Sequence, residues 1–395
     1  MNTIALRARL LALLVPLAFL AACGDSPNEQ PAATPPAVPA AAEPAVIAPP
    51  AAEPDEVEDV LLSSLDIPHV EVEESFITNS SPESNVDSPA SWQAPDGNIW
   101  LYATAKDTDL LMIFDGDSGL QKGIAGAKGK GPGEFKRPNG IYAIDNLLLV
   151  VERDNHRVQV FSLPALQPLG MFGEGDLKKP YGLWVRSHDG GYEAIISDAY
   201  MSDTDEDVVP PLTELGQRYR RYQLRINEGK LTVEALGSMG ATDAAGAIRI
   251  AESLWGDVVQ NRLLLAEEDQ RDGTRIKVYD MAGAYSGQDL GAGLFKAQAE
   301  GIAMWDCADG SGYWIATDQF KDRSLFHLFD RQTLEHRGSF SGKTTANTDG
   351  VWLHQAPTKS FPNGVFYAVH DDQAVAAFDW KKIAEATGVR ATCTQ

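Results

Sequence analysis

One short pattern recurs six times between about residues 98 and 384: an apolar run, a cluster of small or acidic residues, and a second apolar run. The first runs begin at Ile99, Leu147, Glu193, Leu263, Tyr313 and Val365, and the second runs begin at Leu111, Val158, Tyr219, Ile276, Leu325 and Val375. The spacing is roughly 45–50 residues, with one longer interval at about residues 202–245. A repeat of this length marks a unit that buries its apolar faces only against neighbouring copies.

The composition of each run predicts β-structure. The first runs are almost continuously apolar, as in a strand covered on both faces, whereas the second runs alternate apolar and polar residues. Gly, Asp and Asn clusters between them are turn formers. Helical periodicity is confined to Trp380–Thr387. Six such units predict an all-β, six-bladed β-propeller, whose loops meet at one end of a central channel. A β-sandwich array or a β-helix is the alternative.

The N-terminus predicts export. Arg7 and Arg9 precede an apolar stretch, Leu10–Phe19, and small residues lead to Cys23. This is typical of a signal peptide at residues 1–23 with lipidation at Cys23, the alternative being an ordinary signal peptide with an incidental cysteine. Residues 24–62 are rich in Ala, Pro and Glu and predict an extended tether. We therefore expect residues 63–395 to form an outer-membrane lipoprotein domain that faces the periplasm or the exterior and touches the membrane only through its lipid.

Charge and cysteine content narrow the possible partners. The formal net charge of −23 argues against nucleic acid as a partner, and we expect a monomer that acts on a small molecule. Besides Cys23, the chain has only Cys307 and Cys393. These two cysteines either form a disulfide in an oxidising compartment or remain two separate thiols.

Acidic residues recur beside the apolar runs. They include Asp87, Glu252, Glu267, Glu268, Glu300 and Asp349. If the propeller closes, their loops converge, and carboxylates that close together need hard cations between them. Oxygen ligands with few His or Cys favour Ca²⁺ over zinc or copper. The alternative is that these residues only form turns.

Two families resemble this chain. Gly129–Phe135, Pro138–Ile141 and Arg153–Phe161 together resemble an NHL repeat, which we interpret as scaffold. Over about residues 85–386 the chain also resembles the β-propeller phytases, calcium-dependent phosphatases that act on inositol hexakisphosphate. The motifs that carry this second resemblance are Asp87-Ser88-Pro89-Ala90-Ser91-Trp92, Tyr181-Gly182, Ala266-Glu267-Glu268-Asp269, Glu300-Gly301-Ile302 and Thr348-Asp349-Gly350-Val351.

The resemblance to the phytases implies a site. Ca²⁺ would be held by Asp87, Glu267, Glu268, Glu300 and Asp349, and catalysis would depend on Glu252, Glu268 and Glu300. Phosphate oxygens would be contacted by Lys106, Tyr181 and Arg153. A solvated edge-strand lysine is the alternative for Lys106, and an NHL scaffold role is the alternative for Arg153. The chain departs from the family at Ser88 and Gln298, where the family has Asp.

Two functions follow from these patterns. The first is a calcium-dependent phosphomonoester hydrolase that acts on phytate. The second is a non-catalytic, NHL-like propeller that binds a protein or a ligand in the periplasm. The sequence lacks a Gly-x-Ser-x-Gly nucleophile motif, a His-Glu-x-x-His zinc motif and a P-loop.

Overall fold

The computed structural model describes residues 60–205 and 208–393. The predicted signal peptide, Cys23 and the linker up to residue 59 lie outside the described residues. The first described elements are a 3-10 helix, Leu62–Ser64, and two short strands, β1 (Val70–Glu71) and β2 (Phe76–Ile77).

Six small sheets follow in chain order, with antiparallel strands except where β1 joins the fifth sheet in parallel, and we number them as blades 1 to 6. Blade 1 contains β3 (Val86–Gln93), β4 (Ile99–Ala105), β5 (Leu110–Asp115) and β6 (Gln121–Ala125). Blade 2 contains β7 (Pro138–Ile144), β8 (Leu147–Glu152), β9 (Arg157–Ser162) and β10 (Gln167–Phe172). Blade 3 contains β11 (Pro180–His188), β12 (Gly191–Asp198), β13 (Tyr219–Asn227) and β14 (Lys230–Met239). A 3-10 helix, Leu212–Glu214, lies between β12 and β13.

The second half of the chain repeats this plan. Blade 4 contains β15 (Leu254–Asp257), β16 (Arg262–Glu267), β17 (Arg275–Tyr279) and β18 (Tyr285–Leu290). Blade 5 contains β19 (Ala299–Asp306), β20 (Gly312–Asp318), β21 (Leu325–Asp330) and β22 (His336–Ser341). Blade 6 contains β23 (Val351–His354), β24 (Val365–His370) and β25 (Ala374–Asp379), and α1 (Trp380–Thr387) follows it. The predictions of a six-bladed β-propeller and of the terminal helix are confirmed.

The N-terminal segment closes the ring of blades. β2 pairs with β25 and so supplies the fourth strand of blade 6. Next to it, the Thr78 amide donates to the carbonyl of Val375 (3.0 Å), and the Val375 amide donates to the Thr78 hydroxyl (2.9 Å). Because residues from both ends of the described chain share one sheet, the first and last blades cannot separate without breaking these bonds.

The innermost strand of each blade lines the central axis. These strands are β3, β7, β11, β15, β19 and β23; each contacts the next, and β23 contacts β3. They surround a cavity of about 60 Å³. Tyr142, Trp255 and Trp352, from blades 2, 4 and 6, pack against one another there with ring centroids 5.0–5.6 Å apart. Aromatic side chains therefore fill one end of the channel. We call the opposite end, where the chain enters each innermost strand, the mouth.

The apolar runs of the sequence are the second and third strands of each blade, with β4 and β8 as the first two examples of the second strand. The first runs are the second strands, which have a neighbouring strand on either side within their blade. The longer third interval also resolves into structure, because β13 and β14 occupy residues 219–239 and complete blade 3.

The C-terminal tail is fixed by a helix cap and a disulfide. The Asp379 carboxylate accepts the Lys381 amide at the start of α1, and Gly388 ends the helix with a left-handed φ of 80°. Cys307 and Cys393 form a disulfide with a Cα–Cα distance of 5.6 Å, which settles their pairing. Disulfides persist in oxidising compartments. No helix in the described ranges 60–205 and 208–393 is long and apolar enough to span a membrane.

Candidate functional site

Each blade places one residue at the mouth, within its innermost strand or, in blades 4 and 6, two residues before that strand begins. These residues are Asp87, Asn139, Tyr181, Glu252, Glu300 and Asp349, and a Ser or Gly follows each of them. We call this set the mouth ring. In blades 1, 2, 3 and 5 the strand register shifts at this position, which is a β-bulge. Bulges redirect side chains at the ends of strands, and here they recur where each chain reaches the axis.

Glycine lets neighbouring blades meet at the ring. The Gly301 amide donates to the carbonyl of Asp349 (3.0 Å), and the Gly350 amide donates to the carbonyl of Asp87 (2.9 Å). A Cβ atom at either glycine would lie 2.6 Å from the same carbonyl oxygen. A larger residue would push blades 5, 6 and 1 apart and disperse the ring.

Lys106 connects three members of the mouth ring. Its ammonium group lies 3.0 Å from Asp87 Oδ1 and 3.3 Å from Asp349 Oδ2. It also donates to the Tyr181 hydroxyl (3.3 Å), which in turn donates to Asp87 Oδ1 (2.9 Å). Lys106 is only 6% exposed, so it is a buried lysine and not a solvated one. Four residues selected from the sequence thus form one cluster.

Neutral polar groups complete this cluster. The Ser88 hydroxyl donates to Asp87 Oδ2 (2.7 Å), and the Asn139 amide approaches Asp87 Oδ1 (3.5 Å). The Gln319 side-chain amide donates to Asp349 Oδ1. Sequence reasoning missed both amide residues. Their positions in the repeat would have found them, since Asn139 precedes a glycine in its innermost strand and Gln319 follows its second strand directly, as Lys106 does.

The charges at the mouth perturb one another. Burial acts to raise the pKa of Asp87, but Lys106 and the hydrogen bonds to Asp87 hold that pKa below its usual range. Burial raises the pKa of Asp349, and burial together with Asp349 raises the pKa of Asp372 to about 8. Burial acts to lower the pKa of Lys106, but the carboxylates of Asp87, Asp349 and Asp372 keep it well above its ordinary value. Negative charge at the mouth therefore exceeds what Lys106 balances.

A separate set of acids holds the backbone. The last residue of the second strand is Glu152, Asp198, Glu267 or Asp318 in blades 2 to 5. Each of these carboxylates accepts amides of the loop that enters its own blade, as Glu267 does from Arg249 (2.8 Å) and Ile250 (3.0 Å). Burial raises the pKa of Glu267 to about 7, although these amides act to lower it. Glu267 thus has the same loop-holding contacts as its counterparts, whereas its metal-binding role stays a prediction.

Some of the other predicted site residues lie at the mouth, and one lies in the scaffold of blade 2. Glu252 and Glu300 belong to the mouth ring, and Glu268 follows its second strand as Lys106 does, with Oε1 accepting the Ser253 amide (3.2 Å). Arg153 bonds to its neighbour Asp154 (2.9 Å). Beside it, the buried Arg157 guanidinium donates to Glu152 Oε1 (2.7 Å), as in a scaffold network.

The donor set fits Ca²⁺ in its chemistry. The ligands on offer are carboxylate and amide oxygens, and the pKa values of Asp349 and Asp372 are raised first by burial and then by neighbouring carboxylates. The side-chain arrangement, however, is a lysine-bridged cluster, since Lys106 lies between Asp87 and Asp349. In the part of the chain that the structure describes, no group of three or more His, Cys, Asp or Glu is arranged as a metal cage.

Comparisons with known proteins find an NHL repeat in this chain. The NHL repeat family model matches residues 135–161, in blade 2. No curated protein matches the chain. Similar solved structures include a luciferin-regenerating enzyme (12% identity, TM-score 0.47, 78% of this chain and 94% of that one). BBS1N in complex with ARL6DN is also similar (11% identity, TM-score 0.46, 78% of this chain and 96% of that one). So is a nidogen/laminin complex (13% identity, TM-score 0.41, 67% of this chain and 82% of that one).

Proposed function

We propose that the mouth is the active site of a calcium-dependent phosphomonoester hydrolase that acts on a polyphosphorylated small molecule such as inositol hexakisphosphate. We further propose that lipid on Cys23 anchors the enzyme to the outer membrane. The observation that carries the proposal is the position of Lys106, with its ammonium beside Asp87, Asp349 and the Tyr181 hydroxyl at the mouth. A buried cation and a hydroxyl donor at the same point are suited to phosphate oxygens.

Under this proposal, some residues of the mouth bind phosphate and others bind calcium. Lys106 and Tyr181 would bind and orient the phosphoryl group, because one offers a point charge and the other a hydroxyl donor. Glu252, Glu268 and Glu300 would hold calcium together with Asp87 and Asp349. When bound, calcium supplies positive charge that stabilises phosphoryl oxygens.

The excess of acids explains why a cation is needed. A polyanionic substrate approaching Asp87, Asp349 and the ring glutamates would meet like charges, and Lys106 is already paired with two carboxylates. A cation held by the ring would reverse that repulsion. Substrate binding should therefore depend on Ca²⁺ more steeply than folding does.

Phosphate release from phytate, measured with Ca²⁺ and with excess chelator, tests the proposal. We expect release with Ca²⁺ only, and its loss by at least about 100-fold in Glu268→Gln and Glu300→Gln. Glu83→Gln is the matched control, because Glu83 is an exposed acid that bonds to Ser81 (2.9 Å), outside the mouth ring. Absence of release from a folded protein at every Ca²⁺ concentration, or equal activity in all three variants, would contradict it.

A non-catalytic binding propeller is the second candidate. The lysine-bridged cluster favours it, since Lys106 is already paired with Asp87 and Asp349 and no metal cage is assembled among the described residues. Under this function, calorimetry would detect binding of an inositol polyphosphate without turnover and without a calcium requirement.

A further inference from the structure

The connection between β12 and β13 of blade 3 is longer than its counterparts in the other blades, and the structure describes it at residues 199–205 and 208–218. It ends at Arg218, whose side chain is fully buried. The Arg218 amide donates to the carbonyl of Leu215 (3.3 Å), and its carbonyl accepts the Asp198 amide (2.7 Å). These backbone hydrogen bonds alone fix the position of Arg218 in blade 3.

The Arg218 guanidinium joins two segments of chain. It donates to the carbonyls of Asp198 (3.1 Å) and Tyr200 (2.5 Å) in its own blade. It also donates to the carbonyls of Ile248 (3.2 Å) and Arg249, in the segment that enters blade 4. Its central carbon lies 4.4 Å from the centroid of the Tyr200 ring. A buried cation surrounded by carbonyl dipoles and an aromatic face holds both segments in one geometry.

The segment held by Arg218 leads directly to Glu252 of the mouth ring. On its other side, Glu267 accepts the Arg249 and Ile250 amides, and Glu268 accepts the Ser253 amide. The Ser197 hydroxyl donates to the carbonyl of Glu252 itself (2.7 Å). Residues 248–253 are thus held from blade 4 by Glu267 and Glu268, and from blade 3 by Ser197 and Arg218.

We propose that Arg218 is a positioning residue, which fixes residues 248–252 and thereby holds Glu252 at its place in the mouth ring. The side chain of Arg218 then braces blade 3 against the segment that enters blade 4. The consequence for turnover rests on the proposed function, whereas the consequence for the backbone of residues 248–253 does not.

Arg331 provides a matched control. It is also a buried arginine, which donates to Asp257 (2.6 and 2.8 Å) and to the carbonyls of Cys307 and Ser311 (3.3 Å each). These partners lie at the opposite end of the channel from the mouth, because Asp257 ends the innermost strand of blade 4. Arg331→Met should destabilise the fold without affecting Glu252.

The test compares Arg218→Met, Arg218→Lys and Arg331→Met in the full chain by amide hydrogen exchange and by steady-state kinetics on phytate with Ca²⁺. We expect Arg218→Met to speed exchange of the amides of residues 249–253 by about tenfold or more, and to lower kcat by about tenfold with a smaller change in KM. Arg218→Lys, which keeps the charge and fewer hydrogen bonds, should lie between Arg218→Met and the wild type in both measurements. Arg331→Met should do neither while it lowers the melting temperature.

The outcomes separate the two proposals. Unchanged exchange in residues 249–253 of both Arg218 variants, or equal changes in Arg331→Met, would overturn the role of Arg218. A wild-type protein without turnover would remove the proposed function, but the exchange measurement would still decide whether Arg218 holds the Glu252 segment. Faster exchange with unchanged kcat in an active enzyme would refute the positioning role.

Discussion

Replacing Lys106 with methionine removes the cation that pairs with one buried carboxylate, Asp87, and one partly buried carboxylate, Asp349. The ammonium lies 3.0 Å from Asp87 and 3.3 Å from Asp349, whose side chains are 1% and 18% exposed. Removing one partner of a buried ion pair costs about 3–5 kcal/mol. A second estimate gives a similar free energy. In the variant one carboxylate can take up a proton instead of staying charged, and at pH 7, about 3 units above the ordinary Asp pKa, this protonation costs about 4 kcal/mol.

The assay is thermal unfolding of Lys106→Met at several pH values. At about 2 °C per kcal/mol for a large domain, we expect a fall in melting temperature of about 6–10 °C at pH 7. Without Lys106, burial should raise the pKa of both Asp87 and Asp349, so that the folded variant binds protons more tightly and the penalty shrinks as pH falls. At pH 5, protonation of one Asp costs only about 1.5 kcal/mol, and the variant should approach the wild type. Added Ca²⁺ should restore more stability to the variant than to the wild type, because the ion can replace the missing charge.

Lys122→Met is the control for this prediction. Lys122 also lies 3.2 Å from a carboxylate, Asp115, but it is 47% exposed, and exposed pairs contribute less than about 1 kcal/mol. If Lys106→Met and Lys122→Met lower the melting temperature equally at pH 7, Lys106 does not balance buried charge and the account of the mouth is wrong.

Three further predictions concern the fold. Although burial acts to raise it, hydrogen bonds from Thr344 and Thr345 lower the pKa of Glu74 from 4.5 to about 2. Its contribution, about 1–2 kcal/mol after allowance for solvent screening, is present above pH 4.5 and lost as pH falls towards 2, so acid unfolding curves of the wild type and Glu74→Gln should converge there. Cys307→Ser opens a loop with a sequence separation of 86 and should cost about 4 kcal/mol in denaturant unfolding; an unchanged midpoint would contradict this. Trp352→Ala should cost about 3–5 kcal/mol because it removes one of the rings that fill the channel, and a loss below about 1 kcal/mol would show that the rings do not support the fold.

The sequence predicted those strands that consist of a continuous run of apolar residues. Second strands such as β8, which is buried throughout, stand out in the sequence because both of their faces are covered. The innermost strands escaped prediction because a polar ring residue and a small residue lie in or just before each of them, and in four blades a bulge interrupts the alternation. β15 and β23 have only four residues each.

The candidate site also contains residues that the sequence predicted and residues that it did not. Acids and Lys106 were identified from charge and from family resemblance, and the structure brings Asp87, Lys106, Tyr181 and Asp349 together. Asn139 and Gln319 carry no charge and no distinctive spacing, so only their place in the repeat identifies them. Sequence adjacency also concealed that Glu267 holds a loop while Glu268 follows the strand, a difference that depends on which residue ends β16.

The central claim is that the mouth ring binds calcium and a phosphate ester together. Anomalous diffraction from crystals grown with Ca²⁺ and a non-hydrolysable inositol polysulfate tests it most directly. We predict calcium peaks within ligand distance, about 2.3–2.6 Å, of mouth-ring carboxylates, with a sulfate group against Lys106 and Tyr181. An ordered ligand elsewhere on the propeller, or a mouth that binds neither calcium nor sulfate at saturating concentrations, would contradict it.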